Sequence, residues 1–278
     1  MSSIGDLSRI NTNLQALGAL DKLQRTNNEL GMRQLRLSTG TRINRAEDDT
    51  AGYTISKKLE ARVRGQAQAL SNIGDAKSLL TVAEGSLSTV MDMLQTMKEK
   101  AVQASNDTMG TDERTAIENE MEALSAEIDS VIGDTTFNGT ALFTSTALSF
   151  QVNAESGDTF AVTLGTQSAT ALGVSTASIN VSAATSAANT IDFVDDAIDD
   201  ISALMSSIGD NQKRLTFKQE NLATSMNNYE AARSRIADAD FAKEQMEIVK
   251  LQILQQTGTA SLAQANQAPQ GILQLIGG

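Results

Sequence analysis

IDFVDDAIDDISALMSSIGDNQKRLTFKQENLATSMNNYEAARSRI, residues 191–236, carries seven apolar side chains one heptad apart: Val194, Ile201, Ile208, Leu215, Leu222, Tyr229 and Ile236. An unbroken 7-residue repeat holds one narrow seam on the same side of an α-helix throughout the stretch, which is coiled-coil geometry rather than that of a globular amphipathic helix. Such a seam needs a partner. The N-terminal half offers one, because Ile73, Leu80, Leu87, Leu94 and Ala101 are also seven apart, and Ala76, Ala83, Val90, Met97 and Ala104 each follow three residues later. Since both halves of the seam stand in one chain, the pattern predicts an intramolecular antiparallel bundle in preference to an intermolecular coiled coil.

Composition narrows the class. The chain has 278 residues, of which 40% are hydrophobic but only 3% aromatic, and it has no Trp. Cores of Leu, Ile, Val, Met and Ala suit thin helical bundles, and a single proline, Pro269, leaves nearly the whole chain free to be helical. The lack of His and Cys removes the commonest general base, the commonest metal ligands and all thiolate chemistry. No cofactor or metal site is expected, and the chain does not read as an enzyme. A net charge of -12 with intermixed signs repels a phosphate backbone, so nucleic acid is excluded as a partner. No secretory signal pattern opens the chain, and no apolar run approaches a membrane span.

Outward from the ladders, apolar residues at Ile4, Leu7, Ile10, Leu14, Leu17, Leu20, Leu23, Leu30 and Leu37 predict a first helix with one apolar face. TRINRAEDDTAG, residues 41–52, breaks it, and the long ladder helix follows from about Thr54 to Ala104. A second break around Gly110 precedes a third helix, with Thr111 as its expected N-cap and Asp112 and Glu113 suited to its dipole. Ile117, Met121, Leu124, Ile128 and Val131 give that helix coiled-coil spacing. After the turn signal Phe137-Asn138-Gly139 the period becomes two. Leu148, Phe150 and Val152, then Phe160, Val162 and Leu164, predict a β-hairpin near 148–164. Thr166 to Thr190, rich in Ala, Ser and Thr, reads as a loop or loosely packed segment, with the ladder helix starting near Ile191. The phase lapses in ADADFAKE, and Ile248, Leu251, Leu254, Leu262, Ile272, Leu275 and Ile276 mark a last helix. The predicted fold is mainly α: a long antiparallel coiled-coil bundle with a small β-hairpin region and paired N- and C-terminal helices.

Charged clusters are read as structural. Asp195, Asp196, Asp199 and Asp200 form a solvated acidic face rather than a cation site. Glu47, Asp48 and Asp49 beside Arg42 and Arg45, and Asp238 and Asp240 after Arg233 and Arg235, are read as salt-bridged joints, since no nucleophile or phosphate loop accompanies them. The terminal arms carry the functional signal. Two helices alone leave their apolar stripes partly uncovered, and burying each Leu or Ile on association is worth roughly 1.5–3 kcal/mol against the entropy of ordering.

Several long segments resemble bacterial flagellin in order and at opposite ends: QLRLSTGTRINRAEDDTAGYTIS, AVQASNDT, EIDSVIGDTTFNGTALF, YEAARSRIADADFA and QILQQTGTASLAQANQAPQGILQLI. LSFQVNAESGDTFAVTL also looks like the hairpin of that family's inner core. The resemblance covers roughly residues 1–165 and 191–278, and implies a filament subunit of a short form without large outer domains. Residues 1–43 and 238–278 would be the terminal polymerisation domain of the inner tube, and 44–237 the surrounding bundle. Ile4, Leu7, Leu14, Leu17, Leu251, Leu254, Leu262 and Leu275 would pack between subunits. Arg42, Ile43, Asn44, Asp48, Asp49 and Gly52, with Arg233, Arg235, Ile236, Asp238 and Phe241, fall where the family joins its two layers.

The resemblance also implies a homo-polymeric helical filament, unfolded export, an export chaperone, hook-associated and cap proteins as partners, and an extracellular location on the flagellum. Some members are recognised by an animal innate immune receptor. Gln95, Glu99 and Glu120 match the recognised patch, but Thr96 stands where that pattern has Arg and Lys100 where it has Leu, so weakened recognition is implied. Ser and Thr between Thr144 and Thr190 are candidate O-glycosylation positions. Two other readings compete: a flagellin-like hook–filament junction protein, and a soluble coiled-coil signalling adaptor, which would not need uncovered arms at both ends.

Overall fold

The computed structural model describes residues 12–276, with side chains to Gln267. In chain order the elements are α1 (Leu14–Thr39), α2 (Thr50–Ala104), α3 (Thr111–Asp134), β1 (Thr136–Phe137), β2 (Thr140–Ala141), β3 (Leu148–Gln151), β4 (Thr159–Val162), α4 (Ala184–Ala237) and α5 (Phe241–Ile276). The chain is mainly α, as the periodicity predicts. It divides into two compact units, one holding the described residues up to Ala61 and from Tyr229 onward, the other Arg62–Asn228.

The second unit is the bundle. Lys98 pairs with Asp195, Gln212 Nε2 donates to Glu84 at 2.9 Å, Lys77 Nζ to Thr216 at 3.2 Å and Gln66 Nε2 to Ser225 at 3.2 Å. Rising numbers on α2 meet falling numbers on α4, so the helices are antiparallel, and the register sets Ile73, Leu80, Leu87, Leu94 and Ala101 level with Leu222, Leu215, Ile208, Ile201 and Val194. Those ladders form one core: all ten residues are fully enclosed except Leu222, at 5% exposure. Lys100 bonds to Glu120 at 2.7 Å and places α3 antiparallel to α2. On α3 the buried positions are Arg114, Ile117, Met121, Ser125, Ile128 and Ile132, while the expected Leu124 and Val131 lie at the seam's edge, half-buried. Thr111 is the first helical residue rather than the cap. The N-cap is Gly110, in extended conformation with no side-chain bond, so the favourable charges of Asp112 and Glu113 in the first turn do the end-stabilising.

Strands β3 and β4 pair antiparallel from Leu148↔Val162 to Gln151↔Thr159, as the alternation predicts. The Arg214 guanidinium lies 4.8 Å from the Phe160 ring centre, and Asn72 Nδ2 donates to the Gln151 carbonyl at 3.1 Å, tying the hairpin to α4 and α2. A second, smaller hairpin joins β1 to β2 through Asn138 and Gly139, both at positive φ (51° and 77°), the twist that two-residue hairpin turns require.

The expectation of a loose segment over Thr166–Thr190 is corrected. Ala169, Leu172, Val174, Ile179, Val181 and Ala187 are all buried in the bundle core, and Asp129 Oδ1 accepts from the Ala169 amide at 2.7 Å. Small side chains fill a narrow site as completely as large ones fill a wide one, so low bulk was a poor guide to packing. Helix α4 likewise begins at Ala184, earlier than Ile191, since Ala and Ser are no obstacle to a helical turn.

Candidate assembly surface

The first unit is built differently. Asn13 Nδ2 donates to the Ala265 carbonyl at 2.7 Å, Gln255 Nε2 to Asn27 Oδ1 at 2.8 Å, and Arg33 Nη1 to both Glu244 carboxylate oxygens at 2.9 and 3.0 Å. Helices α1 and α5 therefore run antiparallel along each other. Asn13 also caps α1, its Oδ1 accepting from Ala16 N at 3.0 Å. Yet among the described residues the apolar cluster between them is just Leu30, Ile248 and Leu251, with half-buried Leu37. Two helices bury one stripe each and leave the rest of an apolar circumference in water.

Of the side chains expected to pack between subunits, Leu14, Leu17 and Leu254 are 44%, 55% and 47% exposed. Leu262 is half-buried, and Leu251 is covered by α1 within the chain. Ile4 and Leu7 lie outside the described residues, as does the Leu275 side chain. Leu14, Gly18, Ala19, Leu23, Leu254 and Gly258 line an open cleft of about 680 Å³ between the two helices. Leu20, named on the first helix's apolar face, is 39% exposed; sequence reasoning missed Met32, Leu35, Ile55, Met246, Val249 and Ile253, which are also exposed. The signal was present on α5, where 246, 249 and 253 are spaced three and four apart beside the stripe that meets α1.

The turn between α1 and α2 meets the end of α4 and brings several of the predicted joint residues together. Gly40, at φ 70°, closes α1 in the left-handed conformation. Thr41 then pairs with Asp238 in an isolated antiparallel bridge, flanked by Arg42 N to the Ala237 carbonyl at 2.6 Å and Ala239 N to the Gly40 carbonyl at 2.9 Å. Arg42 Nη2 donates to the Ile236 carbonyl at 2.7 Å, and Asn44 Nδ2 to the Thr41 carbonyl at 3.0 Å. Asp48 Oδ2 accepts from the amides of Asn44 and Arg45, both at 3.0 Å, and its Oδ1 faces Arg36 at 3.4 Å. The Arg45 amide above all, then the Asn44 amide and the Arg36 charge, hold the Asp48 carboxyl below the usual value of 3.8, against the opposing effect of burial. Asp49 Oδ1 accepts from Gly52 N at 2.9 Å at the head of α2. A Cβ at Gly52 would stand 2.4 Å from Asp49 Oδ2 and 2.7 Å from Cδ1 of buried Ile43, so any larger residue requires those two side chains to shift.

The salt-bridge expectation for this turn is corrected in part. Asp48 does pair with a cation, Arg36, and Arg45 with Glu47 at 3.0 Å, but Asp49 and Asp240 are helix caps. Arg233 pairs with Glu230 through two bonds of 3.0 and 2.6 Å, which raise its pKa and lower that of Glu230. Arg235 is exposed and makes no ion pair among the described residues, Ile236 is half-buried, and Phe241 is 67% exposed. Short carboxylates at segment ends meet free amides before they meet guanidinium groups, because the helix start presents amides locally.

In the other unit, Gln95 and Glu99 are exposed on α2 while Thr96 and Lys100 are half-buried, Thr96 bonding back to the Asp92 carbonyl at 3.0 Å. Lys100 is held by Glu120, so Lys100 and Thr96 present a paired cation and a satisfied hydroxyl.

Comparison with known proteins is decisive for identity. Residues 10–147 match the bacterial flagellin N-terminal helical region, and residues 191–276 match the bacterial flagellin C-terminal helical region. The chain belongs to the bacterial flagellin family. It is 39% identical over 269 residues to a flagellin of Halalkalibacterium halodurans and 37% identical over 304 to one of Bacillus subtilis, in each case across 96% of this chain and 99% of the relative. It is also 35% identical over 283 residues, with the same coverage, to the flagellar filament 33 kDa core protein of Treponema phagedenis. The short middle segment accords with a family member lacking a large outer domain.

Proposed function

We propose that this chain enters its filament through α1 and α5, with the bundle as a rigid support. The chain is a structural subunit of the flagellar filament. One observation carries the choice of surface. In a flagellin-family chain, the bundle ladders are saturated, whereas the paired terminal helices keep Leu14, Leu17 and Leu254 in water. Helical filaments arise when such heterologous faces repeat without closing into a ring. The junction-protein alternative is not favoured, since the relatives of matching length are flagellins and filament core proteins.

On this view residues 1–43 and 238–278 form the polymerising layer and 44–237 the surrounding one. The turn from Arg42 to Gly52, with Arg233 to Phe241, is the joint. The subunit is exported to the cell exterior, attended by a chaperone for its sticky C-terminal arm and by hook-associated and cap proteins at the filament ends. Recognition by an innate immune receptor is weak, because Lys100 is tied to Glu120 and Thr96 carries no cation. Cell-based receptor activation at full potency would refute that last point.

Seeded polymerisation followed by pelleting tests the whole. Intact chains are expected to give long fibres and chains trimmed at the two turns none. Soluble dimers from both would instead identify a coiled-coil adaptor.

A further inference from the structure

The chain has ten methionines and no cysteine, so sulfur oxidation falls on thioethers alone. Their exposure is sharply divided. Met97 and Met121 are fully enclosed in the bundle, and Met91, Met93, Met109, Met205 and Met226 are half-buried. Among the described residues only Met32 and Met246 stand open, at 50% and 68% exposure. Both belong to the terminal helices. The cross-links Gln255 to Asn27 and Arg33 to Glu244 set the register of α1 against α5, and that register places Met32 and Met246 at the same level of the pair. Each has exposed apolar company on its own helix: Leu35 after Met32, and Val249 and Ile253 after Met246.

We propose that Met32 and Met246 form an oxidation-sensitive site through which peroxide-class oxidants block incorporation of the free subunit, and which assembly then shields. This rests on the assignment of α1 and α5 to the polymerising layer. In the reaction the thioether sulfur attacks one peroxide oxygen, the O–O bond breaks, an S–O bond forms, and water leaves. Sulfur loses two electrons and hydrogen peroxide is reduced. The product is a polar, chiral sulfoxide in place of a flexible apolar side chain, which disfavours burial at an interface. Met97 and Met121 are protected by packing in either state. The site thus distinguishes folded free subunits from subunits already in place.

The test uses full-length monomer treated with graded hydrogen peroxide, site-resolved peptide mass spectrometry, and seeded pelleting. Met32 and Met246 are expected to oxidise at least about tenfold faster than Met97 and Met121, with the pelletable fraction falling in step. In preformed filaments the same two residues are expected to slow by a similar factor. A Met32→Leu, Met246→Leu double variant keeps the apolar volume, and its pelletable fraction, measured against its own untreated value, is expected not to fall after the same dose. Inhibition of the double variant equal to that of the parent would overturn the proposal, as would equal reactivity of both residues in monomer and filament. Failure of untreated parent chains to pellet would instead overturn the underlying assembly assignment.

Discussion

Two antiparallel helix pairs in this molecule have opposite economies of surface. Between α2 and α4 the apolar rungs at Leu80, Leu87, Ile201 and Ile208 are wholly enclosed, with α3 and the hairpin completing the core. Between α1 and α5 the apolar cluster among the described residues is just Leu30, Ile248 and Leu251, and large apolar side chains remain in water on both helices. The same heptad-like alphabet therefore gives a finished interior where a third layer exists and an unfinished one where it does not. Completeness, not hydrophobicity, separates a structural seam from a surface that seeks a copy of itself.

The sharpest probe of that contrast is a matched pair of truncations. Leu87→Ala is expected to destabilise the monomer by about 2–5 kcal/mol, through lost burial plus a cavity. Leu17→Ala is expected to shift it by about 0.5 kcal/mol or less while lowering the pelletable fraction. Equal losses in urea unfolding would erase the distinction between the two seams. Next in size, Arg33→Ala leaves the nearly enclosed Glu244 carboxylate without its two-bond partner, and is expected to cost about 1–3 kcal/mol. Hydrogen exchange should show that loss first in α1 and α5, with the bundle amides unaffected.

A smaller effect concerns acid. The Asp48 carboxyl has a folded pKa below its ordinary 3.8, so its contribution is complete above that value and disappears as pH falls through the lower folded one. Asp48→Asn should flatten this part of the unfolding profile below about pH 4, and an unchanged acid limb would show that the two amide bonds contribute nothing. Smallest of all, Lys98→Ala removes a half-exposed ion pair with Asp195 and should cost under about 1 kcal/mol, diminishing further in high salt.

The bundle was legible because its signal is periodic. Heptad rungs from Ile73 to Ala101 and from Val194 to Leu222 predict both helices, their antiparallel pairing and their buried faces, and alternation at Leu148–Val152 predicts a hairpin. Two kinds of residue hid their roles. Ala169, Val174 and Val181 are core residues of low bulk, and composition cannot show how narrow a site is. Asp49 and Asp240 act on neighbouring backbone amides, which a count of opposite charges does not reveal. The arms were legible as apolar stripes, yet which stripe turns inward depends on the α1–α5 register, fixed by Asn13, Asn27 and Arg33 meeting residues more than two hundred positions away.

That last separation bears on time as well as space. The Asn13 to Ala265 bond spans 252 positions, so during synthesis α1 is made near the beginning and its partner near the end. Pairing of the two waits on nearly the entire chain, and closing so long a loop is slow unless the intervening segment has already condensed. The bundle closes shorter loops, 128 positions from Glu84 to Gln212 and 159 from Gln66 to Ser225, and so does not wait for α5. A chain cut short ahead of α5, before Phe241, would therefore hold a finished bundle and a permanently single arm.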